Sequence, residues 1–397
     1  MAGILVADAS GTVEAARSLR KFGFLIHPLS YDDVLRYEPK AVGKGMPLIK
    51  KILEWMPAYK VSTITGVRSL TGEEIEGFFI GTPLLPEQWL ELPREEAMAR
   101  VIAGANLAAE LGCDIVGLGG FTAVVGDGGV TVAENCPIAV TTGNSYTIAS
   151  AIQSLLRGAR EMDIDLSTAS AAVIGATGSI GSACAQILGN KVARLTLAAR
   201  NATRLKNLRH AMQPHVTAIL DCTTDVADAV RNADIVLTAT AATSCIVEPE
   251  DLRPGAVVCE VSLPHDVSRR VASERPDVLV TEGGNIRVPG DPNFNFDFGL
   301  PDAVALACMS ETMILTLENR IENFSLGRGI NIHKVLEIEQ LATKHGFVLA
   351  GMRAFDKPVT EEKIATTRLL ARAARAARST NGHAASADQV RPLPAAQ

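Results

Sequence analysis

The chain has 397 residues, too many for one hydrophobic core, so two or three domains are expected. Hydrophobic residues make up 47% but aromatics only 4%, so the core must be built mainly from Ala, Val, Ile and Leu, a composition that suits helices packed on a parallel sheet. A net charge of −6 without a basic run excludes a broad phosphate-contacting face for nucleic acid, though not a local site for a small anion.

The seven cysteines (Cys113, Cys136, Cys184, Cys222, Cys245, Cys259 and Cys308) form no CxxC pair and no zinc-site spacing. Their odd number and low density argue against a disulfide framework and for a reducing, cytoplasmic setting. The N-terminus lacks the basic and apolar regions of a signal peptide, and no apolar run approaches a membrane span. No histidine-rich or HExxH metal motif is present.

In chain order, the pattern predicts a strand at Gly3–Ala7 and a helix at Thr12–Phe22. Residues 45–56 carry apolar residues at helical spacing with Lys50 and Lys51 opposite, either a surface helix covering core or an interfacial helix touching lipid or an acyl ligand. Tyr59–Gly66 and Gly77–Gly81 read as a hairpin turning at Thr71–Glu74, followed by a helix at Pro93–Leu111. Asp114–Gly117 and Ile138–Thr142 are short strands, and a helix runs from the second to about Met162. Strands at Ala171–Gly175, Arg194–Ala199, Asp234–Thr240, Ala256–Val261 and Asp277–Thr281 alternate with helical patterns, which implies right-handed crossovers and a parallel sheet. Helices are expected at Pro301–Arg320 and Ile332–Gly346, and a disordered tail from Ser379. The fold class is therefore α/β: an N-terminal α/β substrate domain (1–160), a Rossmann-type parallel-sheet domain (161–295), C-terminal helices packing across both (296–378), and the tail (379–397).

The strongest motif is Gly175-Ala176-Thr177-Gly178-Ser179-Ile180-Gly181-Ser182 after an apolar strand. Gly175 allows the tight turn, Gly178 lets backbone approach a pyrophosphate, and Gly181 permits close helix–strand packing. The helix that opens at Ser179 offers free N–H groups to phosphate, with Thr177, Ile180 and the strand-end residue Ala239 beside it. The next strand ends in Arg200 and Asn201, with Arg204 one turn on, where an NAD site carries an acid for the ribose 2′-hydroxyl. Guanidinium groups suit a 2′-phosphate, so the expected cofactor is NADPH.

The reacting group should lie beyond the carboxyl ends of the parallel strands. Cys308, on the helix after the last Rossmann strand, stands there, with Glu311 one turn on; topology leaves it open between catalysis and core packing. His345 is either a helix cap or a site residue. Asn144 and Ser145, with Thr142, lie on a strand-to-helix turn and are candidate oxyanion donors; a plain helix N-cap is the competing reading.

At Cys308 the sequence resembles the cyanobacterial long-chain acyl-(acyl-carrier-protein) reductases. The resemblance rests on Leu118-Gly119-Gly120-Phe121-Thr122, Thr141–Thr147, Gly175–Ser182 with Ala199-Arg200-Asn201, Ala307–Glu311, Asn323–Arg328 and His345-Gly346-Phe347, in order over most of residues 60–350. It implies a Cys308 nucleophile, NADPH, and a fatty acyl thioester substrate carried by acyl carrier protein or coenzyme A. It also implies a fatty aldehyde product, with an aldehyde-consuming enzyme as a candidate partner; the insertion at 39–56, with its lysines, is a candidate dock for an acidic carrier protein or a membrane surface. Residues 39–56, 288–293 and the chain past Phe355 depart from the family pattern. The rival readings are a shikimate-dehydrogenase-like oxidoreductase acting on a small hydroxy acid, which needs a Lys–Asp pair facing the cofactor, and a cofactor-binding sensor without turnover.

Overall fold

The computed structural model describes residues 18–262, 264–355 and 357–387, with side chains through residue 376. The expected strand Gly3–Ala7 lies outside them, as does the start of the expected helix at Thr12. The end of that helix is corrected: Arg20–Ile26 is a strand. It is buried on both faces, with Phe22 and Phe24 in one core and Leu25 in another, as a central strand requires.

Among the described residues two six-stranded sheets dominate, beside a three-stranded and a two-stranded one. In the first, the strand order is Gly290–Asn293, Tyr59–Arg68, Glu74–Gly81, Arg20–Ile26, Ile115–Leu118, Ala139–Thr141. Its first three strands pair antiparallel, and the rest run parallel. The chain thus returns to this sheet at Gly290–Asn293, after the last strand of the other one. The second sheet is wholly parallel, ordered Leu279–Glu282, Val257–Glu260, Ile235–Thr238, Ser170–Ile174, Arg194–Ala198, Ile219–Thr223. This is the doubly wound dinucleotide-binding order, with its switch point between Ser170–Ile174 and Ile235–Thr238. The edge strand Ile219–Thr223 carries little sequence signal because it is half exposed.

Two helices lie between the sheets and fuse their cores: Asn144–Glu161 (the elbow helix) and Ala307–Leu317 (the thiol helix). One apolar cluster runs from Phe22 and Phe79 through Ile148, Leu155 and Met313 to Val173 and Leu237. The helix expected from Pro301 starts only at Ala307. Ala303 is at φ +58 and Val304–Leu306 is a strand pairing with Asn285–Arg287, so the backbone before the thiol helix is extended. At the C-terminus the last helix, Glu361–Ala387, runs through residues 379–387, where the composition predicts tail; residues 388–397 lie outside the described ones. Among the described residues no helix is long and apolar enough to cross a membrane.

Candidate active site

A cleft of about 490 Å³ opens between the two sheets. On one side it reaches the glycine turn, lined by Thr177, Gly178, Ser179, Ile180 and Ala239. The turn is a backbone cradle. Gly175 is at φ +83, and a side chain there would meet the Ala239 carbonyl at 2.2 Å. One at Gly181 would meet the Gly175 carbonyl at 2.3 Å. The N–H groups of Ser179, Ile180 and Gly181 have no hydrogen-bond partner among the described residues, because the first helical bond of this turn is Ser182 N–H to Gly178 O. Open N–H groups, a positive helix end and no side chain in the way fit a pyrophosphate. At the end of the next strand, Arg200 and Arg204 are exposed and in no ion pair among the described residues, while Asn201 caps the following helix by accepting the Arg204 N–H at 2.9 Å. The cradle fits the pyrophosphate of NADPH; the two guanidiniums lie at the end of the neighbouring strand, outside the cleft lining.

Cys308 lines the same cleft, at the second residue of the thiol helix. It is deep but part of its surface faces the cavity. Burial pushes its thiol up to about 12; the nearby Met309 N–H pulls the other way, and Glu311 adds a small upward push. Behind it stands Gly143, at φ +72, where a side chain would sit 2.2 Å from the Cys308 Cα. The close approach of elbow to thiol therefore depends on that glycine.

Glu311 holds the joint together. Its carboxyl is fully buried, accepts the Thr141 hydroxyl at 2.5 Å and the Tyr146 N–H at 2.8 Å, and burial raises its pKa. Asn144 reaches the cleft and donates from Nδ2 to the Ser179 hydroxyl at 3.3 Å, linking the elbow to the glycine-turn helix. Ser145 does not reach it: its N–H donates to Ser325 Oγ at 3.2 Å and its Oγ accepts from the same hydroxyl at 2.6 Å, in full burial. Thr142 lines the cleft but donates to the Ser325 carbonyl at 2.5 Å. His345 lies outside the cleft, buried between Ser69 and Glu318.

Two features are not legible in the sequence. His27 lines the cleft; its Nε2 accepts the Phe121 N–H at 2.9 Å, which leaves Nδ1 to donate to the Pro28 carbonyl at 2.9 Å. Burial lowers its pKa to about 4, so at neutral pH it is an uncharged brace for the Gly119–Phe121 wall. The second is an aromatic arm. After Gly290–Asn293 pairs with Tyr59–Arg68, the chain lays Phe296 and Phe298 into the cleft, where they meet Tyr37 and Phe79 at ring distances of 4.6 and 5.4 Å. With Phe24, Ile26 and Val61 these rings make the branch away from the glycine turn apolar. A lone histidine and phenylalanines in an irregular segment carry no periodicity from which either placement could be read.

Residues 157–281 match the shikimate / quinate 5-dehydrogenase family model, which spans the second sheet up to its last strand. The chain is 31% identical over 363 residues to "Aminotransferase PigE" of a Serratia species, a match covering 87% of this chain but 41% of that protein. It spans about two fifths of that relative's length. It is also 30% identical over 312 residues to the "Long-chain acyl-(acyl-carrier-protein) reductase" of Synechococcus elongatus, covering 73% of this chain and 87% of that protein. The chain belongs to the acyl-(acyl-carrier-protein) reductase family. Its Rossmann-type sheet is the NADPH-binding half of an oxidoreductase, as the cradle and the family together establish.

Proposed function

We propose that this family member reduces a long-chain fatty acyl thioester to an aldehyde through an acyl group carried on Cys308. The observation that carries the reading is one cavity holding three things: the NADPH cradle, a cysteine thiol and an apolar branch walled by Phe24, Phe296 and Phe298. The branch suits an alkyl chain, whose burial is favourable by about 0.8 kcal/mol per methylene.

The Cys308 sulfur attacks the thioester carbonyl, the bond to the carrier sulfur breaks, and the thiol proton leaves with the departing thiol. Among the described residues no lysine lines the cleft, His27 has both ring nitrogens engaged and Asp33 accepts two backbone N–H groups, so we assign the proton to the departing carrier sulfur. NADPH, when bound, supplies the hydride that the acyl-Cys308 carbonyl carbon takes up. The resulting oxyanion collapses, the C–S bond breaks, aldehyde departs and Cys308 regains a proton. We assign Asn144 as the donor to that oxyanion, because it lines the cleft with Cys308 and its Nδ2 reaches the Ser179 hydroxyl at 3.3 Å. Ser145, with its hydroxyl consumed by Ser325, has no part in this step.

The shikimate-dehydrogenase-like reading needs a lysine–aspartate pair at the cofactor. Asp33 is the acid in the cleft, and it instead caps a helix by accepting the Leu29 and Ser30 N–H groups at 3.0 and 3.1 Å.

Incubation with NADPH and a long-chain acyl thioester is expected to yield aldehyde, and without NADPH an acyl adduct on the peptide containing Cys308. Cys308→Ala is expected to lose about a thousandfold or more in rate. Thioester reduction at the wild-type rate by that variant would sink the covalent mechanism; oxidation of small hydroxy acids alone would favour the dehydrogenase reading.

A further inference from the structure

The helix Met46–Trp55 carries two apolar stripes rather than one. Ile49 and Leu53 face inward and pack against Leu85 and Val34. Leu48, Ile52 and Trp55, at i, i+4 and i+7, form a second stripe that is 54%, 40% and 75% exposed, with Val42 beside it at 67%. A surface helix covering a core needs only the first stripe.

The surroundings of the second stripe fix its partner. Lys40 and Lys44 are exposed and in no ion pair among the described residues, and Lys51 lies 5.7 Å over the Trp55 ring. Lys51 is also paired with Glu54 at 3.1 Å, and Glu38 is the exposed acid next to Lys40. Aliphatic and indole side chains with Lys51 over the indole and two exposed lysines on the segment leading into the helix match a bilayer surface with anionic headgroups. The stripe also lies close to the cleft. One short helix, Tyr31–Tyr37, separates them: Asp33 and Tyr37 line the cavity, while Tyr31 and Leu35 pack on the Met46–Trp55 helix. The Tyr31 hydroxyl fastens the two by donating to the Lys44 carbonyl at 2.9 Å.

We propose that Leu48, Ile52 and Trp55 seat this face on an anionic lipid bilayer, setting the mouth of the apolar branch at the membrane. The use of that placement, release of an alkyl aldehyde into lipid rather than water, rests on the function proposed above; the binding itself does not.

The chain has two tryptophans, and Trp89 is 1% exposed, so Trp55 alone reports on the surface. The full chain is mixed with vesicles of phosphatidylcholine, alone or with phosphatidylglycerol. A blue shift of emission and co-sedimentation are expected with the mixed vesicles, more weakly with the neutral ones. The double variant Leu48→Ser, Ile52→Ser should bind about tenfold or more weakly, while reducing a water-soluble acyl thioester as wild type does. Trp55→Phe should still sediment but lose the shift. The proposal is overturned by no shift on either vesicle, by a shift with acyl carrier protein in place of vesicles, or by self-association that the double variant abolishes. Vesicle binding by a protein that reduces no thioester would support the surface and remove the reaction.

Discussion

At Gly178 the first N–H groups of a helix stand open to the cleft; at Gly143, across the same cleft, the second and third of another helix are consumed. Ser145 N–H goes to Ser325, Tyr146 N–H to Glu311, and Gly143 N–H leans on the Thr141 hydroxyl at 3.3 Å. Both are strand–glycine–helix turns, alike in sequence. Their neighbours in space differ: among the described residues nothing fills the first turn, whereas the thiol helix and the Asn323–Arg328 segment press into the second. An open helix end is an anion site, and a filled one is a joint. The same contrast separates the two predicted groups of site residues. Thr177, Gly178, Ser179 and Ile180 at the glycine turn face the cavity, while Gly175 and Gly181 pack on backbone behind them, and of the elbow pair only Asn144 lines it.

The thiol gives the largest test of that contrast. A cysteine at an open helix end has a depressed pKa. Cys308 backs onto the filled one, and burial holds its thiol near 12. Below that value it is protonated, so thiolate and alkylation by iodoacetamide should rise about tenfold per pH unit, roughly a thousandfold from pH 7 to 10. Mass analysis of the Cys308 peptide checks this; a plateau below pH 8 would show that the elbow's N–H groups do reach the sulfur.

Gly143→Ala is the next largest. The added carbon would lie 2.4 Å from Cys308 Cβ on a backbone at φ +72, so a loss of about 3 kcal/mol or more in denaturant unfolding is expected. Gly178→Ala, at φ −80 and 3.3 Å from its nearest neighbour, should cost less than about 1 kcal/mol. Equal losses would mean the two turns are equally free. Gly178→Asp then separates fold from function: a carboxylate suits the helix end but repels pyrophosphate, so NADPH should bind roughly 100-fold more weakly with stability kept.

How far the sequence reveals these turns depends on where their partners lie. The glycine turn is a local device, and its strand, glycines and helix start fall within Ser170–Leu188, so its architecture can be read residue by residue. The elbow is completed by Glu311, Asn323 and Ser325, more than 160 residues away, and nothing in Thr141–Ser145 announces them. Val304–Leu306 reads as helix because its apolar run continues into Ala307; the break is made by Ala303 at φ +58 and by pairing with Asn285–Arg287, which composition does not show. Cys308 is marked by its place after the last parallel strand and by the family resemblance together, since seven cysteines of similar surroundings offer no local distinction.

Glu311 tests the joint more finely. Burial raises its pKa, so the neutral acid is favoured in the folded chain more than in the unfolded one, and its contribution to stability diminishes as pH rises past the ordinary carboxyl range. Glutamine keeps an oxygen for the Tyr146 N–H and an amide for Thr141. Glu311→Gln should therefore cost less than about 1 kcal/mol at neutral pH, and Glu311→Ala, which strands both donors, about 3 kcal/mol. If the two cost the same, the carboxyl is ionised in place and the joint is electrostatic.

The smallest expected effect lies at the rim of the open turn. Arg200 and Arg204 are exposed and bear on nothing in the fold, so Arg200→Ala and Arg204→Ala should each change stability by less than about 0.5 kcal/mol. If the two guanidiniums seat the 2′-phosphate, each variant removes a solvent-screened charge-assisted contact worth about 1.4 kcal/mol, or a tenfold rise in the NADPH dissociation constant. NADH lacks that phosphate, so its binding should stay as it was, and the ratio of the two constants isolates the contact from any change in the cradle. Loss of both cofactors in parallel would place the arginines in the turn's structure; loss of neither would move the 2′-phosphate away from this strand end.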